Sequence, residues 1–193
     1  METSAKRAIQ WYVVQVRGGQ EARMCDVVKA ACEEHNKTAG PGKSVRLDEC
    51  FSPRFKGKKK WKGDWRDVEY PLTPGYVIAA TDDPMKLASA LSSVSGLCRV
   101  MTAGEAYVPL SEDERLWVEQ QTHKGDRVVP MSFGYKEGDK LVVTEGPLKG
   151  QEGRIVRIDR RNCLAHLEFH VGPMTLKTSV GLGIVPKEST TTE

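Results

Sequence analysis

The residues of this chain best equipped for chemistry are cations interleaved with aromatic rings. The run Arg54-Phe-Lys-Gly-Lys-Lys-Lys-Trp-Lys-Gly-Asp-Trp-Arg66 sets Arg54, Lys56, Lys58, Lys59, Lys60, Lys62 and Arg66 among Phe55, Trp61 and Trp65. Ammonium and guanidinium groups attract phosphate, and indole rings stack on unpaired bases. A lysine run is also the ordinary composition of a solvated tip; the two tryptophans tilt the reading toward nucleic acid. A second set, Lys149, Arg154, Arg157, Arg160, Arg161 and Lys177, lies toward the C-terminus. Arg160-Arg161-Asn162 reads as a strand-to-strand turn, which would present guanidinium groups to a structured RNA for bidentate phosphate contact and stacking. Glu145, Glu152, Asp159 and Glu168 nearly balance these cations. RNA binding there requires the charges to separate onto faces, and a protein partner is the alternative.

Catalytic groupings are weak by comparison. His166 and His170 are four apart, but Leu164 to Phe169 reads as a strand and no third ligand is near, so no metal site is expected. No phosphate-binding glycine loop, Ser-His-Asp order or Cys-His pair stands out. The acidic run Glu112, Asp113 and Glu114 fits helix capping better than an acid/base pair. Cys25, Cys32, Cys50, Cys98 and Cys163 are odd in number, scattered and free of Cys-x-x-Cys spacing. That pattern fits reduced thiols in a cytoplasm. An enzyme is not expected, nor a cofactor.

The totals agree with a soluble binding protein. The chain has 193 residues, 39 % apolar and 28 % charged, with a net charge of +3. That length accommodates one large domain or two small ones. The charge is mild, so any nucleic-acid footprint must come from local clustering. No apolar run approaches the ~18 residues of a membrane helix, and the first ten residues lack the apolar core of a signal peptide.

Stepping along the chain, Ile9 to Arg17 is a strand candidate, rich in aromatic and β-branched residues and broken by Gly18-Gly19. A helix should follow from about Gln20 to His35, with Met24, Val28, Ala31, Cys32 and His35 on one stripe. Val45 to Phe55 and Asp67 to Tyr70 read as strands, Pro71 to Gly75 as a turn and Tyr76 to Ala80 as a strand. Asp83-Pro84 should start a helix to about Leu91. Leu97 to Met101 reads as a strand, and Ser111-Glu-Asp-Glu114 as a capping box opening a helix to about Gln121. Residues 122–135 show no sustained periodicity and read as a linker. Beyond them, Leu141 to Thr144 and Gly153 to Ile158 read as strands around a loop with Gly146, Pro147, Gly150 and Gly153. The expected architecture is α+β: an α/β sandwich with an antiparallel sheet and flanking helices, then a small β-barrel. The expected division is a flexible start (1–8), an N-terminal domain (9–121), the linker (122–135), the barrel (136–187) and a disordered tail (188–193).

Gly138-Asp139 through Ile158 resembles the KOW motif of SH3-like barrels. Trp11-Tyr12-Val13-Val14, Pro71-x-x-Pro74-Gly75-Tyr76-Val77 and Pro109-Leu-Ser-x-x-Glu114 resemble, in order, the opening strand, the Phe-Pro-Gly-Tyr-Val signature and the last helix start of the NusG N-terminal (NGN) domain. The chain is thus similar to the NusG family of transcription elongation factors over nearly its whole length. The resemblance implies a bacterial protein whose NGN domain sits on the clamp of the largest RNA polymerase subunit and faces non-template DNA in the bubble. The KOW barrel recruits a second partner, an RNA hairpin, a ribosomal protein or a termination factor. A monomer that does not engage a membrane is expected. Thr73 stands where the family usually has Phe. The segment Thr175 to Pro186 also lacks the usual Pro-Val-x-Leu and Gln-Val pattern. The first removes one hydrophobic contact to polymerase that the family pattern implies, and the second resembles the specialised LoaP-like paralogues that act as antiterminators. The alternatives are a housekeeping elongation factor and a KOW-type ribosomal RNA-binding protein.

The resemblance places polymerase docking on Tyr12, Val14, Leu72, Tyr76 and Val77. Strand alternation alone would send Trp11, Val13 and Val77 to a core. It places DNA contact on Arg17, Gln20 and Arg23 at the start of the first helix, against the plainer reading of a solvated helix start offset by Glu21. The hairpin cations, Lys58, Lys59 and Lys60 at their centre, would face upstream DNA or exiting RNA. Specialised members can refold the barrel as helix; Ile155, Val156 and Ile158 favour a stable barrel here.

Overall fold

The structure is a computed structural model and describes residues 8–185. The flexible start (apart from Ala8) and the tail expected from sequence lie outside the described residues. In chain order the elements are β1 (Gln10–Val16), α1 (Glu21–Thr38), β2 (Leu47–Phe51), β3 (Arg54–Trp61), β4 (Asp64–Pro71), β5 (Tyr76–Thr81), α2 (Pro84–Leu91), β6 (Cys98–Val100), β7 (Thr102–Ala103), β8 (Ala106–Tyr107), α3 (Glu112–Gln121), β9 (Val128–Val129), β10 (Ser132–Glu137), β11 (Lys140–Glu145), a 3-10 turn (Glu152–Arg154), β12 (Arg157–Asp159), β13 (Leu164–Val171) and β14 (Met174–Ile184). The chain divides into two compact units.

The first unit comprises the described residues up to Pro53, Thr73–Arg127 and His170–Leu176. Its centre is an antiparallel sheet in the order β2-β5-β1-β6. Alternation along β1 sends Tyr12, Val14 and Val16 into a cluster with Met24, Cys25, Val28 and Cys32 of α1 and Leu87, Ala90 and Leu91 of α2. Each fully buried Leu or Val there contributes roughly 1.5–3 kcal/mol relative to exposure. Trp11 and Val13, on the opposite face, are buried too. The Trp11 ring meets Phe51 edge-on at 5.0 Å. The Arg127 guanidinium lies 5.1 Å from the Trp11 ring and 4.7 Å from the Phe51 ring.

The helix starts follow their sequence signals. The Asp83 carboxylate accepts from the amides of Met85 and Lys86, with Pro84 in the first turn. The Ser111 hydroxyl accepts from the amide of Glu114. Helix α1 begins without a side-chain cap on Gln20 and runs to Thr38, three residues beyond the expected end. The Asn36 side chain then holds both the amide and the carbonyl of Val45, at 2.7 and 2.9 Å, fixing the return to β2. Cys25, Cys32, Cys50 and Cys98 are all buried in the cluster, and burial pushes the Cys32 thiol up to about 11.

The second unit comprises Arg54–Leu72, Val128–Phe169 and the described residues from Lys177 on. A five-stranded sheet runs β11-β10-β14-β13-β12, and a three-stranded one runs β4-β3-β9. Phe55, Leu72, Val129, Val143, Leu148, Ala165, Leu167, Phe169, Val180 and Leu182 are its buried apolar residues. The buried Ser132 hydroxyl accepts from the Leu148 amide at 3.0 Å and closes the loop after β11.

The structure departs from the sequence expectation in three places. The basic run is strand almost throughout, paired from Arg54↔Pro71 to Trp61↔Asp64. Its outer half is exposed on both faces, so no apolar alternation marked it; the backbone ladder and a two-residue turn hold it. Both turn residues have positive φ, Lys62 at 50° and Gly63 at 100°, the requirement of a type I′ hairpin. Of the run Gly153 to Ile158, only Arg157 and Ile158 belong to a strand, β12. Residues 152–154 form a 3-10 turn, and the Glu152 carboxylate accepts from the Val143 amide. Residues 122–135 contain β9 and the start of β10, strands too short or too irregular to register as a period.

Candidate docking and nucleic-acid surfaces

The Thr73-Pro74-Gly75-Tyr76 turn is fixed from two sides. The Tyr76 amide donates to the Thr73 carbonyl at 3.0 Å, and Gly75 has a φ of 81°, which suits the third position of a type II turn with Pro before it. The buried Glu21 carboxylate accepts from the Gly75 amide at 2.8 Å and from the Gly19 amide at 3.0 Å. Burial alone would raise the Glu21 pKa; the amides of Gly75, Glu21 itself and Gly19 outweigh it and hold the group below its ordinary value. Glu21 therefore ties the β1–α1 turn to the turn before β5. It also fills part of the amide array at the start of α1, where a phosphate would otherwise bind. The DNA candidates around it keep their access: Arg17 and Arg23 are exposed and Gln20 is half-buried.

The five docking candidates do not form one exposed patch. Val14 and Val77 are completely buried in the cluster against α1 and α2. Leu72 is completely buried in the second unit, where the Thr178 hydroxyl donates to its carbonyl. These three side chains are packing residues and cannot meet a partner in this conformation. Thr73 is also buried, its hydroxyl directed to the Tyr76 carbonyl, so it serves the turn. Tyr76 is half-buried at the start of β5. Tyr12 is 6 % exposed, yet it walls a cavity of about 520 Å³ in the first unit together with Gln10, Asp82, Met85 and Tyr107. Its hydroxyl donates to Gln10 Oε1 at 3.0 Å. Met85, on the first turn of α2, also lines the cavity and is 68 % exposed. Met85 and Tyr107 were not legible as lining one surface in sequence, because Met85 reads simply as an early helix residue and Tyr107 ends a two-residue strand.

In the β3–β4 hairpin Lys58 is half-buried, while Lys59, Lys60, Trp61, Trp65 and Arg66 are exposed. Arg54 pairs with Glu69 at 2.9 Å. Among the second-unit cations, Arg157 lies on β12 opposite His166. Arg160 and Arg161 occupy the exposed turn after it. The Asp159 carboxylate holds that turn by accepting from the Asn162 side chain at 2.8 Å and its amide at 3.1 Å, and these bonds depress its pKa. Arg154 stands 5.8 Å from the Phe169 ring. Lys149, in the loop after β11, and Lys177, on β14, are exposed. His166 Nδ1 lies 2.9 Å from the Ser179 hydroxyl, and among the described residues no group of three or more His, Cys, Asp or Glu is placed to hold a metal ion. No helix among them is long and apolar enough to cross a membrane.

The family model described as "Transcription termination factor nusG" matches residues 9–118, and that of the KOW motif matches residues 137–168. A solved structure of NusG from Thermotoga maritima, concerned with domain interaction, aligns with 90 % of this chain and 93 % of its own at 18 % identity and a TM-score of 0.47. No curated protein matches. The first match alone covers more than half of the sequence, and the chain belongs to the NusG family of transcription factors.

Proposed function

We propose that this protein is a specialised, LoaP-like antitermination factor that docks on the clamp of RNA polymerase and carries it through pauses and terminators. The observation that supports docking is the concave, partly apolar surface walled by Tyr12, Tyr107 and Met85, all within the residues of the NusG match. Apolar anchors set in a depression supply most of the free energy of such contacts. In this reading residues 9–121 form the docking domain and residues 136–187 the KOW domain, joined by residues 122–135. Of the docking candidates, Tyr12 and Tyr76 retain the role. Arg17, Gln20 and Arg23 contact non-template DNA, with Lys58, Lys59 and Lys60 on nucleic acid nearby. The turn arginines Arg160 and Arg161, with Lys149, Arg154, Arg157 and Lys177, contact an RNA hairpin. The protein acts in the cytoplasm as a monomer and performs no catalysis.

The antitermination half of the reading is supported by Thr73, which is turned into the Pro-Gly turn in place of an aromatic anchor. It is also supported by the Thr175 to Pro186 sequence. A housekeeping factor whose barrel binds a termination factor or a ribosomal protein would act on all transcripts alike.

Met85→Lys tests docking. The side chain is exposed, so the fold should be retained, and affinity for the cognate polymerase, measured by biolayer interferometry, should fall about tenfold, the loss typical of an anchor worth more than 1 kcal/mol. Tyr76→Ala should lower it as well. A folded Met85→Lys protein that binds with unchanged affinity would show that docking uses another surface.

A further inference from the structure

The register of the β3–β4 hairpin assigns its cations and rings to two faces. Directly opposed residues share a face. Lys59 opposes Arg66 and Trp61 opposes Asp64, whereas Lys58 opposes Asp67 and Lys60 opposes Trp65 on the other side. The first face therefore sets two cations directly across from one another, an arrangement that repels in the free protein. Among the described residues Lys59 and Arg66 have no ion-pair partner, and Trp61, 51 % exposed, has no ring against it. Same-face neighbours on a strand stand about 7 Å apart, so a phosphate held between Lys59 and Arg66 leaves the adjoining base within reach of the Trp61 indole. Lys62 adds a cation at the turn in a positive-φ position, where Asn or Gly would sit with less strain.

We propose that this face binds single-stranded nucleic acid, with Lys59 and Arg66 gripping one phosphate and Trp61 stacking on the neighbouring unpaired base. A duplex satisfies only half of the site, because its bases are already stacked and present no face to the indole. The inference rests on the nucleic-acid part of the function proposed above and not on polymerase docking. It joins Arg66 and Trp61 to Lys59 on one face, while Lys58 and Lys60 belong to the opposite face.

The test uses the full chain without polymerase and oligonucleotides of about 12 nucleotides, within the ~4–16 nucleotide span of single-strand sites. Oligo-dT, oligo-U and a DNA duplex of equal length are compared by fluorescence anisotropy and by quenching of intrinsic tryptophan emission. Trp11 and Trp117 are each only 5 % exposed, so quenching reports on the hairpin. The expected result is binding of one or both single strands more tightly than the duplex, with quenching. Trp61→Ala should weaken binding about tenfold, and Lys59→Gln/Arg66→Gln should reduce the slope of log affinity against log salt by roughly 0.7, the contribution of the one phosphate they hold. Trp65→Ala, on the opposite face, should change affinity by less than about twofold. Preference for oligo-dT assigns the occupant as DNA, and preference for oligo-U as RNA. Tighter duplex binding, absence of quenching, or equal losses from the two faces would overturn the proposal. Polymerase affinity of Trp61→Ala, read in parallel, separates this outcome from docking: loss of oligonucleotide binding with polymerase binding intact supports the site, and a failure of docking leaves the oligonucleotide result standing.

Discussion

Arg127→Ala is expected to destabilise the first unit by about 3–5 kcal/mol, the usual loss when one partner of a buried ion pair is removed. The Arg127 and Glu49 side chains are only 10 % and 11 % exposed, and the guanidinium donates to both Glu49 oxygens, through Nη2 at 2.5 Å and Nε at 3.2 Å. A third donation goes to the Thr122 hydroxyl at 3.2 Å. The same group covers the Trp11 and Phe51 rings. Removing it leaves a carboxylate with little solvent and exposes two aromatic faces. Arg127→Lys should recover only part of the loss, because an ammonium cannot match the planar two-point contact. Urea denaturation followed by circular dichroism reads the change. A loss below about 1 kcal/mol would mean that the pair behaves as a solvated one.

Gly146→Ala is the second large expected effect and falls on the other unit. The residue has a φ of 91°, where a side chain is strained, and an added Cβ would lie 2.5 Å from the Met131 carbonyl oxygen and 2.6 Å from Ser132 Cα. Both neighbours are backbone, so neither can rotate away. Left-handed strain and overpacking together should cost about 2–4 kcal/mol. The displaced Ser132 would also lose its hold on the Leu148 amide. Gly150→Ala is the matching control: its φ of 75° carries comparable strain, but its Cβ would meet nothing within 4 Å. Denaturation midpoints of the two variants should therefore differ clearly, with Gly146→Ala the lower; equal midpoints would place the cost in the backbone angle alone.

These two sites show where sequence was legible and where it was not. Elements with local signals were readable: the apolar stripe of α1, the Asp83-Pro84 and Ser111 caps, and the β-branched run of β1 all announce themselves within a few residues. The order of four motifs was enough to point to the family. Gly146 was readable as a turn glycine, though not the backbone it nearly touches. Arg127 gave no sign, because its partner Glu49 is distant in sequence and residues 122–127 have no period of their own. The candidate docking surface was legible only in part. Motif matching marks a strand but not how deeply each side chain is packed, so Val14 and Val77 came with Tyr12, although the cluster with α1 and α2 buries both valines completely and leaves Tyr12 only 6 % exposed. Met85 and Tyr107 reach the same cavity from separate elements, a juxtaposition only the fold supplies. Likewise the basic run was visible as composition, while the division of Lys59 from Lys58 and Lys60 required the register.

The central claim, that this NusG-family chain is a recruited antitermination factor, is tested most directly by single-round transcription with the cognate RNA polymerase through an intrinsic terminator. The template carries either the protein's own upstream leader or an unrelated one. The account predicts increased read-through with the native leader only. Unchanged read-through on both templates would contradict it, and an equal change in pausing on both would assign the protein to general elongation instead.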